Sequence, residues 1–212
     1  MTEFDTLTIV THPLVQHKLS LMRDKNCASQ DFARLLTEIS MLMAYEATRD
    51  LAVTTTAVET PLEVMDAPTL AGKKLALISI LRAGNGMLEG MRAVIPAARV
   101  GFVGLYRNEE TLEPVDYYLN LPSHLSRRHV IALDPMLATG NSAAAAVDKI
   151  KSEGAVDISL MTLLAAPEGV RTFAARHPDV PIFTAALDRG LNEKGYILPG
   201  LGDAGDRIFA TK

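Results

Sequence analysis

Five short apolar runs mark the chain from residue 75 onward: Leu75 to Leu81, Val100 to Leu105, Val130 to Leu133, Ile158 to Ala165 and Ile182 to Leu187. Short runs without polar alternation read as strands covered on both faces. Stretches of helical character lie between them at 86–94, 141–153 and 168–177. Pro167 suits the start of the last, where a helix does not need the missing N–H. Strands alternating with helices predict βαβ units and, with right-handed crossovers, an α/β fold with an open, mainly parallel sheet flanked by helices.

The first 60 residues follow another pattern. Asp31 to Leu51 reads as one long helix, with Phe32, Leu35, Leu36, Ile39, Leu42, Met43 and Glu46 giving a mostly apolar spacing of three and four. Met41 and Met43 are assigned to the core, where methionine fills irregular space. Between the second and third strands, Tyr106 to Pro122 contains Pro114 and the alternating Val115-Asp116-Tyr117-Tyr118-Leu119, which predicts a hairpin arm. Such an arm projects from a sheet and pairs with a second subunit, pointing to a homodimer or higher homo-oligomer. No repeat, low-complexity tract or linker divides the chain. The expectation is a single domain over 1–212 with its core at about 70–190, and with the N-terminal helical segment and C-terminal loop as a hood.

Composition narrows the function. A 212-residue chain that is 48% hydrophobic can bury a sizeable core, so a disordered or fibrous protein is excluded. One cysteine, Cys27, rules out an internal disulfide, and no cysteine and histidine cluster has zinc-finger spacing. The N-terminal Met1-Thr2-Glu3-Phe4-Asp5 carries acids where a signal peptide carries bases, and no apolar run is long enough to span a bilayer. The expectation is a soluble, cytoplasmic protein without a membrane partner. A net charge of -4 argues against nucleic acid as a partner, because non-specific binding needs many Lys and Arg contacts to phosphate. A polyanionic ligand must meet local positive charge instead.

Three segments carry candidate chemistry. In the first, the strand Val130 to Leu133 runs into Asp134-Pro135-Met136-Leu137-Ala138-Thr139-Gly140-Asn141-Ser142, and helix-forming Ala143-Ala144-Ala145-Ala146-Val147 follows. A helix opened by a Thr-Gly-Asn-Ser turn offers free N–H groups and a favourable dipole to a phosphate, here beside a carboxylate. An ordinary capped turn between strand and helix is the competing reading. In the second, Ile78-Ser79-Ile80-Leu81 runs into Arg82-Ala83-Gly84-Asn85-Gly86, where an arginine could fork onto a pyrophosphate and glycines let backbone approach closely. Gly90 lies one residue too far on to complete a dinucleotide-binding pattern with Gly84 and Gly86. The third, Gly195-Tyr196-Ile197-Leu198-Pro199-Gly200-Leu201-Gly202-Asp203-Ala204-Gly205-Asp206-Arg207, reads as a loop of exposed backbone. Such a loop can present amide donors and carbonyl acceptors to a flat heterocycle, and is equally a surface loop.

Taken in order, these segments closely resemble the uracil phosphoribosyltransferase family, a branch of the type I phosphoribosyltransferase fold. The resemblance runs from His12-Pro13-Leu14-Val15-Gln16-His17-Lys18-Leu19 to the end of the chain, through Tyr45-Glu46-Ala47-Thr48-Arg49-Asp50-Leu51 and Leu105-Tyr106-Arg107-Asn108-Glu109-Glu110-Thr111-Leu112. The stretch Pro199 to Phe209 is the most diagnostic, because it separates uracil enzymes from purine and orotate branches. The resemblance implies transfer of the 5-phosphoribosyl group of phosphoribosyl pyrophosphate (PRPP) to N1 of uracil, giving UMP and pyrophosphate. It implies that Arg82 and Arg107 bind the pyrophosphate side of PRPP, and that residues 134–142, from Asp134 through Pro135, Met136, Leu137, Ala138, Thr139, Gly140 and Asn141 to Ser142, bind its ribose 5-phosphate. It further implies that Ile197, Gly202, Asp203 and Ala204 hold uracil, with Asp203 facing both substrates and with Arg82, Arg107 and Asp203 as catalytic groups. Magnesium (Mg2+) would arrive on PRPP without direct protein ligands, GTP would be a nucleotide effector, and the Leu81-Arg82 peptide would be cis.

Two residues depart from the family pattern: Asn85 stands where an apolar Leu is usual, and Asn141 where a glycine is usual. Asparagine tolerates positive φ better than most residues, so the phosphate loop can keep its shape. His12, His17, His124, His129 and His177 are scattered and are assigned structural roles. Two rival readings are an RNA-binding regulator on the same fold, which needs a basic face, and a transferase for another base, against which the C-terminal segment argues.

Overall fold

The computed structural model describes residues 4–72, 74–107 and 114–211, the backbone alone at 106–107 and 114–116. The chain opens with strand β1 (Leu7–Ile9), helices α1 (Pro13–Arg23) and α2 (Ser29–Ala47), and the hairpin β2 (Val53–Glu59) and β3 (Val64–Leu70). Strand β4 (Lys74–Leu81), helix α3 (Asn85–Val94) and strands β5 (Arg99–Arg107) and β6 (Pro114–Asn120) follow. The second half runs β7 (Arg128–Leu133), β8 (Met136–Leu137), α4 (Asn141–Ser152), β9 (Ile158–Ala165), α5 (Pro167–Arg176) and β10 (Ile182–Leu187). Short strands β11 (Gly190–Leu191) and β12 (Ile197–Leu198) and helix α6 (Ala204–Phe209) complete it.

The main sheet has the order β1-β10-β9-β7-β4-β5-β6, with β8 beside β9. Every pairing in it is parallel except β5 with β6. Alternate side chains feed two cores. Leu75 and Leu77 of β4 and Ile131 and Leu133 of β7 face the core that includes residues of α1, α2 and α3, whereas Ala76, Ile78, Val130 and Ala132 face the core packed by α4 and α5. Burial on both faces is why these strands carry apolar runs without alternation. The alanines Ala143 to Ala146 of α4 are all buried.

Each strand expected from the apolar runs is present, with bounds moved by two residues at most. Helix α2 ends at Ala47 rather than Leu51, where the pattern of four-residue bonds gives way to three-residue ones, the Arg49 and Leu51 N–H groups donating to the Glu46 and Thr48 carbonyls at 3.2 and 3.3 Å. Met43 is fully buried as expected, but Met41 is 39% exposed and corrects its assignment to the core. It sits two positions from both Ile39 and Met43, on the opposite side of the helix.

The hairpin expected within Tyr106 to Pro122 is formed by β5 and β6, paired antiparallel at the sheet's edge, while residues 108–113 between them lie outside the described residues. Tyr117, Tyr118 and Leu119 of β6 are exposed, and a second hairpin with exposed apolar groups, β2–β3, is one that the hydrophobic pattern did not indicate. Its two strands pair only with each other, and every residue of β2 is exposed. Helix α1 was also unassigned, although Val15, Leu19 and Met22 recur at four and three and are buried, and His12 caps it by accepting from the Leu14 N–H at 3.2 Å.

Candidate active site

Strands β4 and β7 are neighbours, yet the chain leaves β4 toward β5 on one side and leaves β7 toward β9 on the other. The loops leaving two such strands diverge, and a crevice opens beyond their carboxyl ends. Arg82 follows β4 and Asp134 follows β7.

The first loop turns under tight backbone contact. A Cβ at Gly84 would lie 2.4 Å from the Leu133 carbonyl and 2.6 Å from the Ile80 carbonyl, so no larger residue fits. The Leu81–Arg82 peptide is cis and Arg82 is exposed at the strand end. Arg107 closes the neighbouring β5, and its side chain lies outside the described residues.

The second loop is laced to β9. The Asp134 N–H donates to the Met161 carbonyl at 3.2 Å, and the Pro135 carbonyl accepts from Leu163 and Leu164 at 3.1 and 3.0 Å. Pro135 is thus buried against the sheet, and the Leu137 side chain is in the core. Gly140, at φ 82°, sits where a Cβ would meet the Gly169 carbonyl at 2.5 Å, and Gly169 in turn abuts the Leu137 and Ala138 carbonyls. Helix α5 therefore holds the turn that opens α4. Thr139, Gly140 and Ser142 line a small cleft of about 120 Å³ with Asp134, Met136 and Ala138, whereas Asn141 is the first residue of α4 and is exposed.

Asp134, Met136 and Ala138 also line a second cleft of about 240 Å³, whose far wall is Ile197, Gly202, Asp203 and Ala204. The structure thus brings the end of β7 and the C-terminal segment to one crevice, with Ala83 of the first loop between them. Gly195 and Tyr196, which open the third candidate segment, line it too. Burial pushes the Asp134 carboxyl up to about 7, opposed only weakly by the Met136 N–H that donates to Oδ1 at 3.3 Å.

The C-terminal segment is more ordered than an open loop. Strands β11 and β12 pair antiparallel, the Leu198–Pro199 peptide is cis, and Asp203 caps α6 by accepting the Asp206 N–H at 2.9 Å. Two arginines hold it. Arg23, at the end of α1, makes a bidentate pair with Asp188 at 2.6 and 2.8 Å and donates to the Gly200 carbonyl at 2.7 Å, while Asp188 also accepts the Gly200 N–H at 2.9 Å. Arg207 donates to the carbonyls of Met22, Leu201, Asp24 and Cys27 and lies over the Phe32 ring at 4.4 Å.

Of the histidines, His129 pairs with Asp157 at 2.8 Å beside a separate cavity at the amino-terminal edge of the sheet, and buried His177 bonds the Ala144 carbonyl at 3.0 Å. Both are away from the crevice. Among the described residues no group of three or more His, Cys, Asp or Glu side chains could hold a metal ion, and no helix is long and apolar enough to cross a membrane.

Sheet order, crevice and phosphate-type loop together define a type I phosphoribosyltransferase fold. A solved hypoxanthine-guanine phosphoribosyltransferase from Bacillus anthracis shares it with a TM-score of 0.52 at 14% identity, over 76% of this chain and 80% of that one. The AQ2163 protein of Aquifex aeolicus is far more similar, with a TM-score of 0.91 and 37% identity over 97% of this chain and 99% of its own. The family model described as uracil phosphoribosyltransferase matches residues 9–211, and the chain belongs to that family. Curated relatives named uracil phosphoribosyltransferase are 61% identical in Mesorhizobium japonicum and 63% identical in Paracoccus denitrificans, each over 97% of this chain and over 99% and 98% of the relative.

The raised Asp134 carboxyl has a consequence for stability. In the unfolded chain an aspartate titrates near 3.9, so between about pH 4 and pH 7 the folded state binds more protons. The stabilisation is full below about pH 4 and is lost as pH rises through about 7. Asp134→Asn is therefore expected to gain thermal stability over the ligand-free wild type as pH rises from 4.5 to 8. Melting temperatures of both proteins across that range check this, and a difference independent of pH would contradict it.

Proposed function

We propose that the crevice between Asp134 and Asp203 joins uracil to the phosphoribosyl group of PRPP, forming UMP and pyrophosphate, with the chain working as one catalytic domain. The observation that carries this reading is that a strand-end carboxylate, a phosphate-type helix opening and the family's C-terminal segment line adjoining clefts. Thr139, Gly140, Asn141 and Ser142 would hold the 5-phosphate through first-turn N–H groups and hydroxyls. The Asp134 carboxylate would accept the ribose hydroxyls, which favour its ionised form and lower its pKa on binding. Pro135, Met136, Leu137 and Ala138 would shape that loop.

Departure of pyrophosphate from C1 develops negative charge on the leaving group, so preorganised cations are the main electrostatic requirement. Arg82 and Arg107 are assigned to it, at the ends of adjacent strands β4 and β5. Asp203, in the crevice, would face an ion carried by the substrate's phosphates through the waters that ion keeps, without ligating it directly. Magnesium in that position would supply further positive charge at the leaving group. Uracil N1 then bonds to C1 from the opposite face as the C1–O bond to pyrophosphate breaks, the N1 proton passing to the Asp203 carboxylate or to water, and the base being held by Ile197, Gly202, Asp203 and Ala204. Positioning two substrates in line contributes much of the rate.

The cytoplasm, where PRPP is available, is the proposed location. GTP is carried as a nucleotide effector, which an increased rate at low PRPP would support and an unchanged rate would remove.

A homodimer is part of the same proposal, supported by the exposed apolar residues of hairpin β2–β3 beside those of the β5–β6 arm. Leu62 at its turn is 95% exposed, and Val64 and Leu70 are 67% and 66% exposed. A lone two-stranded hairpin is marginal in water, and exposed apolar groups of this kind mark an interface. Sedimentation should find a dimer at micromolar concentration, dissociated by Val64→Asp with Leu70→Asp. A monomeric wild type would exclude it.

Base preference is the sharper test. A site reading uracil through backbone needs an N–H opposite O4 and a carbonyl opposite N3. Cytosine reverses both and leaves two protein groups unpaired, at about 1 to 3 kcal/mol each. Such sites discriminate by about 10⁴. Initial rates with uracil, cytosine, hypoxanthine and orotate at fixed PRPP and magnesium should show UMP formation strongly preferred. Comparable kcat/KM for uracil and cytosine would sink backbone readout, and absence of UMP would sink the transferase.

A further inference from the structure

Ser79 is fully buried in β4, and its hydroxyl donates to Asn85 Oδ1 at 2.8 Å. A buried hydroxyl facing an apolar residue at 85 would be left without a partner, and here the Asn85 amide turns its oxygen toward it. With Oδ1 committed to Ser79, the planar group presents its Nδ2 donors away from the strand, and Asn85 is exposed.

The place where those donors emerge is defined by register. Ser79 lies opposite Leu133 of β7 on one side and Phe102 of β5 on the other. Asn85 therefore stands over the middle of three adjacent strands whose carboxyl ends lead to Asp134, Arg82 and Arg107. It is also three residues beyond Arg82 in the same tight turn, and the Asn85 N–H donates to the Arg82 carbonyl at 3.2 Å.

We infer that Asn85 is a further substrate-binding residue, whose Nδ2 donates to the pyrophosphate group of PRPP and of the product, with Ser79 as the positioning residue that sets the amide. This deepens the proposed function and rests on it for the identity of the ligand. A neutral donor adds a directional bond at a place where the arginines supply charge, and hydrogen bonds to charged groups are the stronger class. Loss of one such bond corresponds to roughly a 10- to 100-fold change in affinity.

The test pairs stability with binding. Asn85→Leu alone orphans the Ser79 hydroxyl, whereas Ser79→Ala with Asn85→Leu removes both partners and is expected to melt close to wild type. Asn85→Asp keeps an acceptor for Ser79 and removes the donor, which guards against a misfolded double variant. Binding of magnesium pyrophosphate is measured by calorimetry, which needs no turnover, and KM for PRPP and for uracil are measured beside it. The expected result is a Kd for magnesium pyrophosphate and a KM for PRPP raised about tenfold or more in both the double variant and Asn85→Asp, with KM for uracil within about twofold. Unchanged pyrophosphate affinity in a folded variant would overturn the assignment. So would equal shifts in both KM values that the double variant restores, because a merely structural contact behaves that way. A wild type that binds pyrophosphate without forming UMP would instead refute the transferase reading, leaving Asn85 to be judged on the Kd ratio.

Discussion

The C-terminal wall of the crevice depends on one largely buried ion pair, the bidentate contact of Arg23 with Asp188. Its geometry satisfies the groups around it: the guanidinium also donates to the Gly200 carbonyl, and the carboxylate also accepts the Gly200 N–H. A buried pair contributes little by its charges alone, but removing one partner strands the other and costs about 3–5 kcal/mol. What the pair specifies is position. It joins the end of α1, the end of β10 and the turn at Gly200. Arg207 repeats the device one turn later, binding four carbonyls that belong to the end of α1, the start of α2 and the C-terminal segment.

The opposite wall is held by other means. The loops after β4 and β7 are held by backbone packing, with Gly84 pressed on Leu133 and Ile80, and Gly140 pressed on Gly169. Contacts of this kind leave no room for a side chain and little room for movement, which suits a phosphate cradle. The crevice is thus a rigid sheet edge facing a segment fixed by two arginines. Asp134 lies at the join, and its burial raises a carboxyl that a bound ribose would ionise.

Legibility in the sequence followed burial. The strands of the parallel sheet could be read from apolar runs because both their faces are covered, and α2 because its stripe packs on one side. Hairpin β2–β3 could not, since with no buried face in this chain its alternation carries no signal. Helix α1 was legible in principle from Pro13 and the Val15, Leu19, Met22 spacing. Of the candidate site, residues 134–142 and 197–204 were marked by motif, and their meeting in one crevice follows from sheet order. Arg23 and Asp188 lie 165 positions apart with no local pattern at either, and only the tertiary structure pairs them. The same holds for Ser79 and Asn85, whose bond turns a departure from the family pattern into a satisfied polar pair.

The Arg23 fork sets the position of the segment proposed to hold the base. The most direct test of this is the steady-state kinetics of Arg23→Lys, which keeps the charge but cannot make a bidentate pair together with the bond to Gly200. The account expects a folded enzyme whose KM for uracil rises by about tenfold or more while KM for PRPP changes by less than about twofold. Equal rises in both constants, or wild-type values for both, would contradict it.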